Sequence, residues 1–291
     1  MTVTSEPKES ERISFLRNGH GLQVDVEKIF KGSILLLEPL NSTNELTAWA
    51  EECLQAEFGA SLILENNSEQ AIRNFTLMAQ AVKSKFTNHD LTKHVLEKIL
   101  YVRYEQYLDH ELLYDVPRLR IIPNSNLLKS GISYNYLPHR DTWYGGRQDQ
   151  INHWLSVKNV SDKATFFIAP SFFSTSVENS SSDFDLETWD KVFRPSAIES
   201  VNTELRPHPK PAFEIPEQSK LGFDLASAHE VCFSGHHLHG SSQNLSGEIR
   251  ISVDYRVCIP TLGFNPPENV DSSATGNYLN LMIKHPKFGT R

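Results

Sequence analysis

The spacing of apolar residues changes near residue 115, and this change constrains the fold more than any other feature of the chain. Up to that point apolar residues recur at helical intervals. The sequence predicts one helix from the capping-box residues 42–45 to Phe58, with Gly59 as its end, a second helix capped by Asn67, and a third beginning near Asp90. We expect these helices to pack their apolar faces on a core.

After Asp115 the chain is punctuated by Gly, Pro, Asn and Asp and contains short runs rich in β-forming residues. No alternation of strands with helices is present, which argues against a parallel α/β fold. The pattern is typical of a β-sandwich or barrel with helices outside it. The predicted strands are residues 118–122, 132–137, 151–157, 165–168, 231–233 and 250–257.

The 291 residues are sufficient for one large core, and we expect a single catalytic domain. Residues 1–115 would form a mostly helical N-terminal layer, residues 116–262 the barrel core and residues 263–291 a C-terminal tail. Residues 170–220 are rich in Ser and Pro, and this long insertion is either a lid over the barrel or a plain surface loop.

Composition excludes several classes of partner. With 28 Lys and Arg against 36 Asp and Glu, the net charge is −8, and no basic run is present, so nucleic acid is not expected as a partner. The first residues are polar rather than those of a signal peptide, and no apolar stretch is long enough to cross a membrane. The three scattered cysteines suggest a reducing compartment. We expect a cytoplasmic protein, and its oligomeric state stays open.

Two histidine-containing segments are candidates for metal binding. His139 and Asp141 stand two residues apart, so on a strand they would present an imidazole and a carboxylate on the same face. A second segment carries His236, His237 and His239, any one of which could supply a third ligand. Two histidines and a carboxylate suit iron(II) with open positions, while zinc is the rival metal.

Arg250 opens an apolar strand, where a guanidinium requires an anionic partner. A bidentate carboxylate would satisfy it, as a dicarboxylate co-substrate provides. The alternative is a surface arginine on an alternating strand.

Taken together, these residues resemble the iron(II)/2-oxoglutarate-dependent dioxygenases, and within them the phytanoyl-CoA dioxygenase-like branch. The resemblance rests on His139-x-Asp141, on the run from His239 through Ser241, Asn244 and Ser246, and on an arginine, Arg250, eleven residues after His239. It implies that His139, Asp141 and His239 are iron ligands, that Arg250 and Ser241 hold 2-oxoglutarate, and that the fold is a double-stranded β-helix (a jelly-roll or cupin-like barrel). The chain departs from the branch at His229-Glu230, where Gly-Asp is common.

The resemblance also implies the chemistry: a hydroxylase that uses Fe(II), 2-oxoglutarate and O₂, and releases succinate and CO₂. In the related halogenases a small residue replaces the carboxylate, so the presence of Asp141 favours hydroxylation. Two alternatives stay open: a cupin-like metal-dependent isomerase or epimerase and a non-catalytic metal-binding barrel. Neither requires Arg250, which therefore distinguishes the dioxygenase from both.

The sequence provides fewer indications of the substrate. Cations and aromatic rings near the His-x-Asp motif would suit a small anionic or zwitterionic metabolite, although Arg140 could instead pair with structural acids. Asn152, on the next predicted strand, could contact 2-oxoglutarate. The candidate substrate residues are Arg140, Arg147, Trp143 and Tyr144, with Arg118 and Arg120 as a further possible anion site.

Overall fold

The computed structural model describes residues 21–59, 64, 66, 68–124, 137–162, 164–195, 204, 206–263, 271–276 and 278–290. Five α-helices are described: α1 Val26–Phe30, α2 Asn41–Phe58, α3 Glu69–Asn88, α4 Asp90–Arg103 and the single turn α5 Leu186–Thr188. Within the described residues, no helix is both long and apolar enough to serve as a membrane span.

The three predicted helices are confirmed, and their ends follow capping chemistry. The N-terminus of α2 is closed by Thr43, whose hydroxyl accepts a hydrogen bond of 2.8 Å from the Leu40 amide, so the helix begins slightly earlier than predicted. Gly59 ends it with a φ of +60°, which glycine adopts without strain. The Ser68 hydroxyl caps α3 by accepting from the Ala71 amide at 3.3 Å, while Asn67 lies outside the described residues.

Nine strands are described: β1 Leu35–Leu37, β2 Leu113–Asp115, β3 Arg118–Ile122, β4 Gln150–Ser156, β5 Phe166–Ile168, β6 Glu230–Ser234, β7 His239–Ser241, β8 Arg250–Cys258 and β9 Met282–Lys284. Seven of them form one sheet in the order β1-β6-β4-β8-β2-β9, with β3 also paired to β8, and β5 pairs with β7 in a second sheet. All pairs within the two sheets are antiparallel.

The β-rich character predicted for the chain after residue 115 is confirmed, but a closed barrel is not. The two sheets share no ladder among the described residues, so the arrangement seen is a mixed α/β one with two antiparallel sheets. The predicted run 132–137 lies, apart from Leu137, outside the described residues. The remaining five predicted strands match β3, β4, β5, β6 and β8 within about two residues.

The two faces of the large sheet have different surroundings. On one face, apolar side chains of β3, β4, β6 and β8 pack against α2, α3 and α4 in the largest core cluster. Trp154 and Phe233 alternate with these residues and point to the other face, where Phe166 of the small sheet covers them. All seven residues of β4 are buried, because this strand is covered on both sides. The candidate site lies on this second face.

Segments outside the central region also contribute to the sheet. Strand β1, in the helical first third, pairs with β6, and β9, within residues 263–291, pairs with β2. Residues 170–193 form short helical turns that are tied to residues 271–276 by hydrogen bonds, such as that from the Val177 amide to the Asp271 carboxylate at 2.8 Å. Segments that are distant in sequence are therefore joined here.

Candidate functional site

Three side chains that the sequence singled out converge at the edge of the small sheet. One ligand atom from each of His139, Asp141 and His239 lies within 4.8 Å of the others. The backbones of His139 and His239 form an antiparallel bridge, with amide-to-carbonyl distances of 2.8 and 2.9 Å. This bridge brings together residues that are a hundred positions apart.

Asp141 is placed by a tight turn rather than by a continuous strand. It opens a 3-10 turn at Asp141–Tyr144, which Gly145 ends with a φ of +73°. The Gly146 amide donates to the Asp141 carbonyl at 2.9 Å, and a Cβ at position 146 would lie only 2.6 Å from that oxygen. The backbone therefore approaches too closely for any residue except glycine.

Backbone hydrogen bonds fix the tautomer of both histidines. His139 Nδ1 lies 2.7 Å from the Leu137 carbonyl, and His239 Nδ1 lies 2.8 Å from the His237 carbonyl. Because a carbonyl oxygen only accepts, both Nδ1 atoms carry the hydrogen, so in the neutral form of either ring the lone pair is on Nε2. Burial, reinforced by the nearby His239, lowers the pKa of His139 to about 3, which keeps that ring neutral. Neutral imidazoles oriented in this way are suited to metal ligation.

The Asp141 carboxylate is oriented by two amides. Its Oδ2 accepts from Gln150 Nε2 at 2.8 Å and from Asn152 Nδ2 at 2.5 Å. Its Oδ1 lies 3.8 Å from His139 Nε2 and 3.5 Å from Arg256 Nη2. Burial alone would raise the pKa of Asp141, but Arg256 and the two histidines outweigh it and hold the pKa below its ordinary value. An ionised oxygen therefore faces the two imidazoles.

The donor set fits a divalent transition metal. Two neutral nitrogens and one anionic oxygen on one side of an ion leave its other positions open, which is the arrangement of iron(II) oxygenases, while zinc binds similar residues. The other histidines of the second segment lie elsewhere: His237 is buried with Nε2 3.1 Å from the Gly32 carbonyl, and His236 is also buried. No second cluster of this kind is found among the described residues.

A cavity of about 320 Å³ opens beside the three ligands. Its volume is at the lower end of the range for small-molecule sites. Of the described residues that line it, only Asp141 and Asp254 are acidic, whereas seven are basic: Lys83, Arg118, Arg120, Arg194, Arg206, Arg250 and Arg256. Burial, reinforced by Arg120, lowers the pKa of Lys83 to about 7, so the six arginines carry most of the positive charge. The cavity is thus strongly cationic in a protein of net charge −8.

Arg250 lies buried at one end of this cavity. Its Nη1 donates to the carbonyls of Ala164 and Thr165, both at 2.8 Å, while its Nε has no hydrogen-bond partner among the described residues. Burial lowers the pKa of Arg250 to about 10, against the opposing effect of Asp254. Because a buried guanidinium with an unused donor is costly, the site is arranged for an anionic partner.

The residues between His239 and Arg250 position the arginine. Ser241 lines the cavity and pairs with Phe166 of the small sheet. Asn244 is buried, and its amide donates to the carbonyls of Pro123 at 3.0 Å and Glu248 at 2.6 Å, while the Ser246 hydroxyl donates to its Oδ1 at 2.7 Å. The Asn-x-Ser motif therefore stabilises the turn that leads into β8.

Only one of the four residues that the sequence suggested for substrate binding is in the described lining of the cavity. Tyr144 lines the cavity, but Arg140, Trp143 and Arg147 are absent from its described lining. Arg140 donates to the carbonyls of His236, Phe172 and Thr175 and to the Asp271 carboxylate. Trp143 Nε1 donates to Asp271 at 2.7 Å, and Arg147 forms two 2.6 Å bonds to Asp149. These three residues hold neighbouring segments together.

Other sequence candidates do face the cavity. Asn152 lines it and also holds Asp141, and Arg118 and Arg120 line it from β3. Sequence reasoning missed Arg256, which lies six residues after Arg250 on the same strand and therefore on the same face. It also missed the lining residues Phe184, Leu186, Trp189 and Tyr278, for which no local pattern points to a site.

No protein-family model matches the chain, and no curated protein matches it. Among solved structures, it is similar to the non-heme monooxygenase ThoJ in apo form, with 14% identity over 86% of this chain and 85% of that one and a TM-score of 0.43. It is similar to EvdO2 from Micromonospora carbonacea var. aurantiaca complexed with 2-oxoglutarate, with 12% identity over 97% and 100% of the chains and a TM-score of 0.47.

A third similar structure is the non-heme alpha ketoglutarate dependent epimerase SnoN from nogalamycin biosynthesis, with 11% identity over 86% of this chain and 96% of that one and a TM-score of 0.39. At such identities and TM-scores, we infer the function of this chain from its own residues.

Proposed function

We propose that the chain is an iron(II)/2-oxoglutarate-dependent oxygenase that hydroxylates a C–H bond of a small anionic metabolite and releases succinate and CO₂. The observation that carries the proposal is one cavity with two distinct polar ends. One end has the three oriented ligands His139, Asp141 and His239, and the other has the buried Arg250 with an unused donor.

The protein's own residues would act mainly by positioning. His139, Asp141 and His239 would hold the metal on one side, which leaves the cavity side for small molecules. Arg250 would pair with the distal carboxylate of 2-oxoglutarate, assisted by the Ser241 hydroxyl. Gln150 and Asn152 would keep the Asp141 carboxylate directed at the metal.

Iron(II) with 2-oxoglutarate and O₂ supplies the oxidising chemistry, in which 2-oxoglutarate loses CO₂ and the substrate carbon gains an oxygen atom. Trp154, Phe166 and Phe233 line the cavity and limit water near the reacting atoms. The cationic lining raises the local concentration of anionic substrates. A non-oxidative isomerase would instead need an acid or base facing the substrate, and it would not require the buried Arg250 with its unused donor.

The proposal is tested by adding iron(II) and then 2-oxoglutarate to the protein without oxygen. We expect a weak visible charge-transfer band from the chelate, which disappears in Asp141→Ala and requires at least about a hundredfold more 2-oxoglutarate in Arg250→Met. Arg73→Gln, an exposed arginine on α3, is the matched control and should behave as the unaltered protein. If well-folded protein shows no band and Arg250→Met leaves 2-oxoglutarate affinity unchanged, the proposal is wrong.

Product analysis then separates the possible oxidations. Once a substrate is found by substrate-dependent succinate release, hydroxylation predicts a product heavier by one oxygen atom, with the label coming from ¹⁸O₂. An unlabelled product of unchanged mass would indicate epimerisation.

A further inference from the structure

A pair of arginines forms a second cationic feature of the cavity, away from Arg250. Arg118 is on β3 and Arg256 on β8, and both contact Asp115 and the hydroxyl of Tyr278. We name Arg118, Arg256 and Tyr278 the paired-arginine subsite. All three side chains line the cavity. Arg256 Nη2 also lies 3.5 Å from Asp141 Oδ1, so the subsite borders the three metal-ligating residues.

The acidic partner that the two arginines share is already saturated. Asp115 is completely buried, its Oδ1 accepts from the Arg256 amide at 2.7 Å, and its Oδ2 accepts from Arg118 Nη1 at 2.7 Å and from the Tyr278 hydroxyl at 2.8 Å. Asp115 thus faces both guanidinium groups, and Asp141 is a second, more distant carboxylate beside Arg256. Both arginine side chains stay partly exposed, Arg118 at 29% and Arg256 at 23%. Their exposed parts face the cavity that they line.

A metal ion bound beside the subsite would make the electrostatic potential there more positive. The Asp141 carboxylate, with Oδ1 3.5 Å from Arg256 Nη2, offsets part of the Arg256 charge. A divalent ion held by His139, Asp141 and His239 would be bound by the Asp141 carboxylate, which would then offset less of the Arg256 charge. Arg256 would then gain most from a new anion, so occupation of the metal site favours anion binding beside it.

The wall next to the subsite is aromatic. Tyr144, Phe184 and Trp189 pack on one another, with ring centroids 5.0 Å apart for Tyr144 and Phe184 and 5.6 Å apart for Phe184 and Trp189. Leu186 and Tyr278 join them in the same cluster and the same cavity lining. Such walls favour a flat apolar body next to the charged group.

From these observations we infer that the paired-arginine subsite binds the carboxylate of the substrate, and that the substrate is a small organic acid with a flat apolar body and without an ammonium group. This inference rests on the proposed function and defines its substrate class. The two guanidinium forks match a carboxylate, and the aromatic wall receives the body of the molecule beside the metal.

An amino acid fits this cavity less well than a simple acid. An ammonium group would need an acidic partner, but of the two acidic residues in the described lining, Asp141 is a metal ligand and Asp254 is engaged with Arg120. The cationic lining would repel the ammonium group. The subsite therefore selects against zwitterions.

The test is calorimetric titration of three matched probes into protein saturated with Mn²⁺ and 2-oxoglutarate, so that the Arg250 end is filled. The probes are 3-phenylpropionate, its neutral amide 3-phenylpropionamide, and L-phenylalanine, which differs from the first by an ammonium group. We expect 3-phenylpropionate to bind at least about tenfold more tightly than either analogue. Arg118→Gln and Arg256→Gln should each weaken it about tenfold or more, while Arg73→Gln leaves it unchanged.

Further variants keep the result interpretable. If Arg118→Gln does not fold, Arg118→Lys keeps a charge for Asp115 but loses the planar fork, and it should still weaken binding. If 2-oxoglutarate itself does not bind, the proposed function fails, and the same titration into metal-free protein still tests the subsite. Binding that is lost in Arg250→Met but kept in Arg118→Gln would overturn the inference, as would equal affinities for the acid and its amide.

Discussion

Buried arginines occur on both faces of the large sheet, and they differ in how completely they are satisfied. On the helix-packed face, Arg103 of α4 is fully buried and donates to Glu230 at 2.7 Å and to the carbonyls of Leu22 and Glu38 at 2.8 and 2.6 Å. On the cavity face, Arg250 has an unused Nε. The first arginine is satisfied by the folded core, whereas the second keeps a donor that no described residue satisfies, as the proposed function requires.

The two faces of the sheet also differ at adjacent residues of the same strand. Tyr255 points to the helix-packed face, where its hydroxyl donates to Glu230 and its ring stacks on His153 at 4.5 Å. Tyr255 and the next residue, Arg256, both line the cavity, but the Arg256 side chain contacts Asp115, Tyr278 and Asp141 instead. Likewise, His153 contacts the Tyr104 hydroxyl at 2.7 Å, while its neighbour Asn152 holds Asp141. One strand thus carries residues of a buried polar network on one side and residues of the candidate site on the other.

The largest effect on stability is expected from Arg103→Met. The substitution leaves the buried carboxylate of Glu230 without its cation, which should lower the free energy of unfolding by about 3–5 kcal/mol. Urea denaturation measures the free energy of unfolding. The double variant Arg103→Met/Glu230→Gln is the control, and it should regain part of the lost stability. A loss below about 1 kcal/mol would contradict the role assigned to this ion pair.

The same network predicts a dependence of stability on acidity. Burial alone would raise the pKa of Glu230, but Arg103 and His153 outweigh it, and the pKa falls from 4.5 to about 2. A carboxyl with a depressed folded-state pKa stabilises the protein above its unfolded pKa, and this stability is lost as the pH falls toward 2. Unfolding free energies measured from pH 6 downward should decline below about pH 4.5, less steeply in Glu230→Gln. Equal slopes for the unaltered protein and Glu230→Gln would contradict the stabilising effect of the ionised Glu230 carboxylate.

An intermediate effect is expected at Asp271, which connects the segment around Val177 to the turn that carries Asp141. Its carboxylate accepts from Trp143, Arg140 and the Val177 amide. Asp271→Asn keeps the shape but weakens the charge-assisted bonds, which should cost about 1–3 kcal/mol. Thermal unfolding measures this loss, with Asp183→Asn on an exposed turn as the control. An unchanged melting temperature would show that Asp271 does not tie these segments together.

The smallest effect on stability is expected from Arg250→Met. Because its Nε is unsatisfied and its charge is desolvated, its removal should change the free energy of unfolding by less than about 1 kcal/mol. The measurement is the same urea denaturation used for Arg103→Met. A loss comparable with that of Arg103→Met would mean that Arg250 is a structural residue, and the contrast between the two faces would fail.

Local patterns were sufficient to predict the helices and the longer strands, and periodicity located α2, α3 and α4. A short spacing singled out His139 and Asp141, the family resemblance selected His239 and Arg250, and the structure brings the first three together and places Arg250 in the lining of the same cavity. Strands β1, β2, β7 and β9 have three residues each, too few for alternation to show. Their positions depend on pairing with distant segments.

The residues that the sequence suggested for substrate binding depend on contacts between distant segments. Arg140 follows His139 directly, but its guanidinium is used by carbonyls of other segments, which no local spacing reveals. Tyr278 reaches the cavity from the far end of the chain. Glu230, at the position that departs from the resembled branch, lies on the helix-packed face and pairs with Arg103. That departure therefore concerns the core rather than the cavity.

The most direct test of the contrast is a crystal structure of the protein grown with Mn²⁺ and 2-oxoglutarate, with the metal located by anomalous scattering. We predict one manganese ion bound by His139 Nε2, Asp141 Oδ1 and His239 Nε2, with the distal carboxylate of 2-oxoglutarate on Arg250 and the Arg103–Glu230 pair unchanged. A metal peak away from these three ligands, or 2-oxoglutarate bound elsewhere than at Arg250, would contradict the assignment of the cavity face.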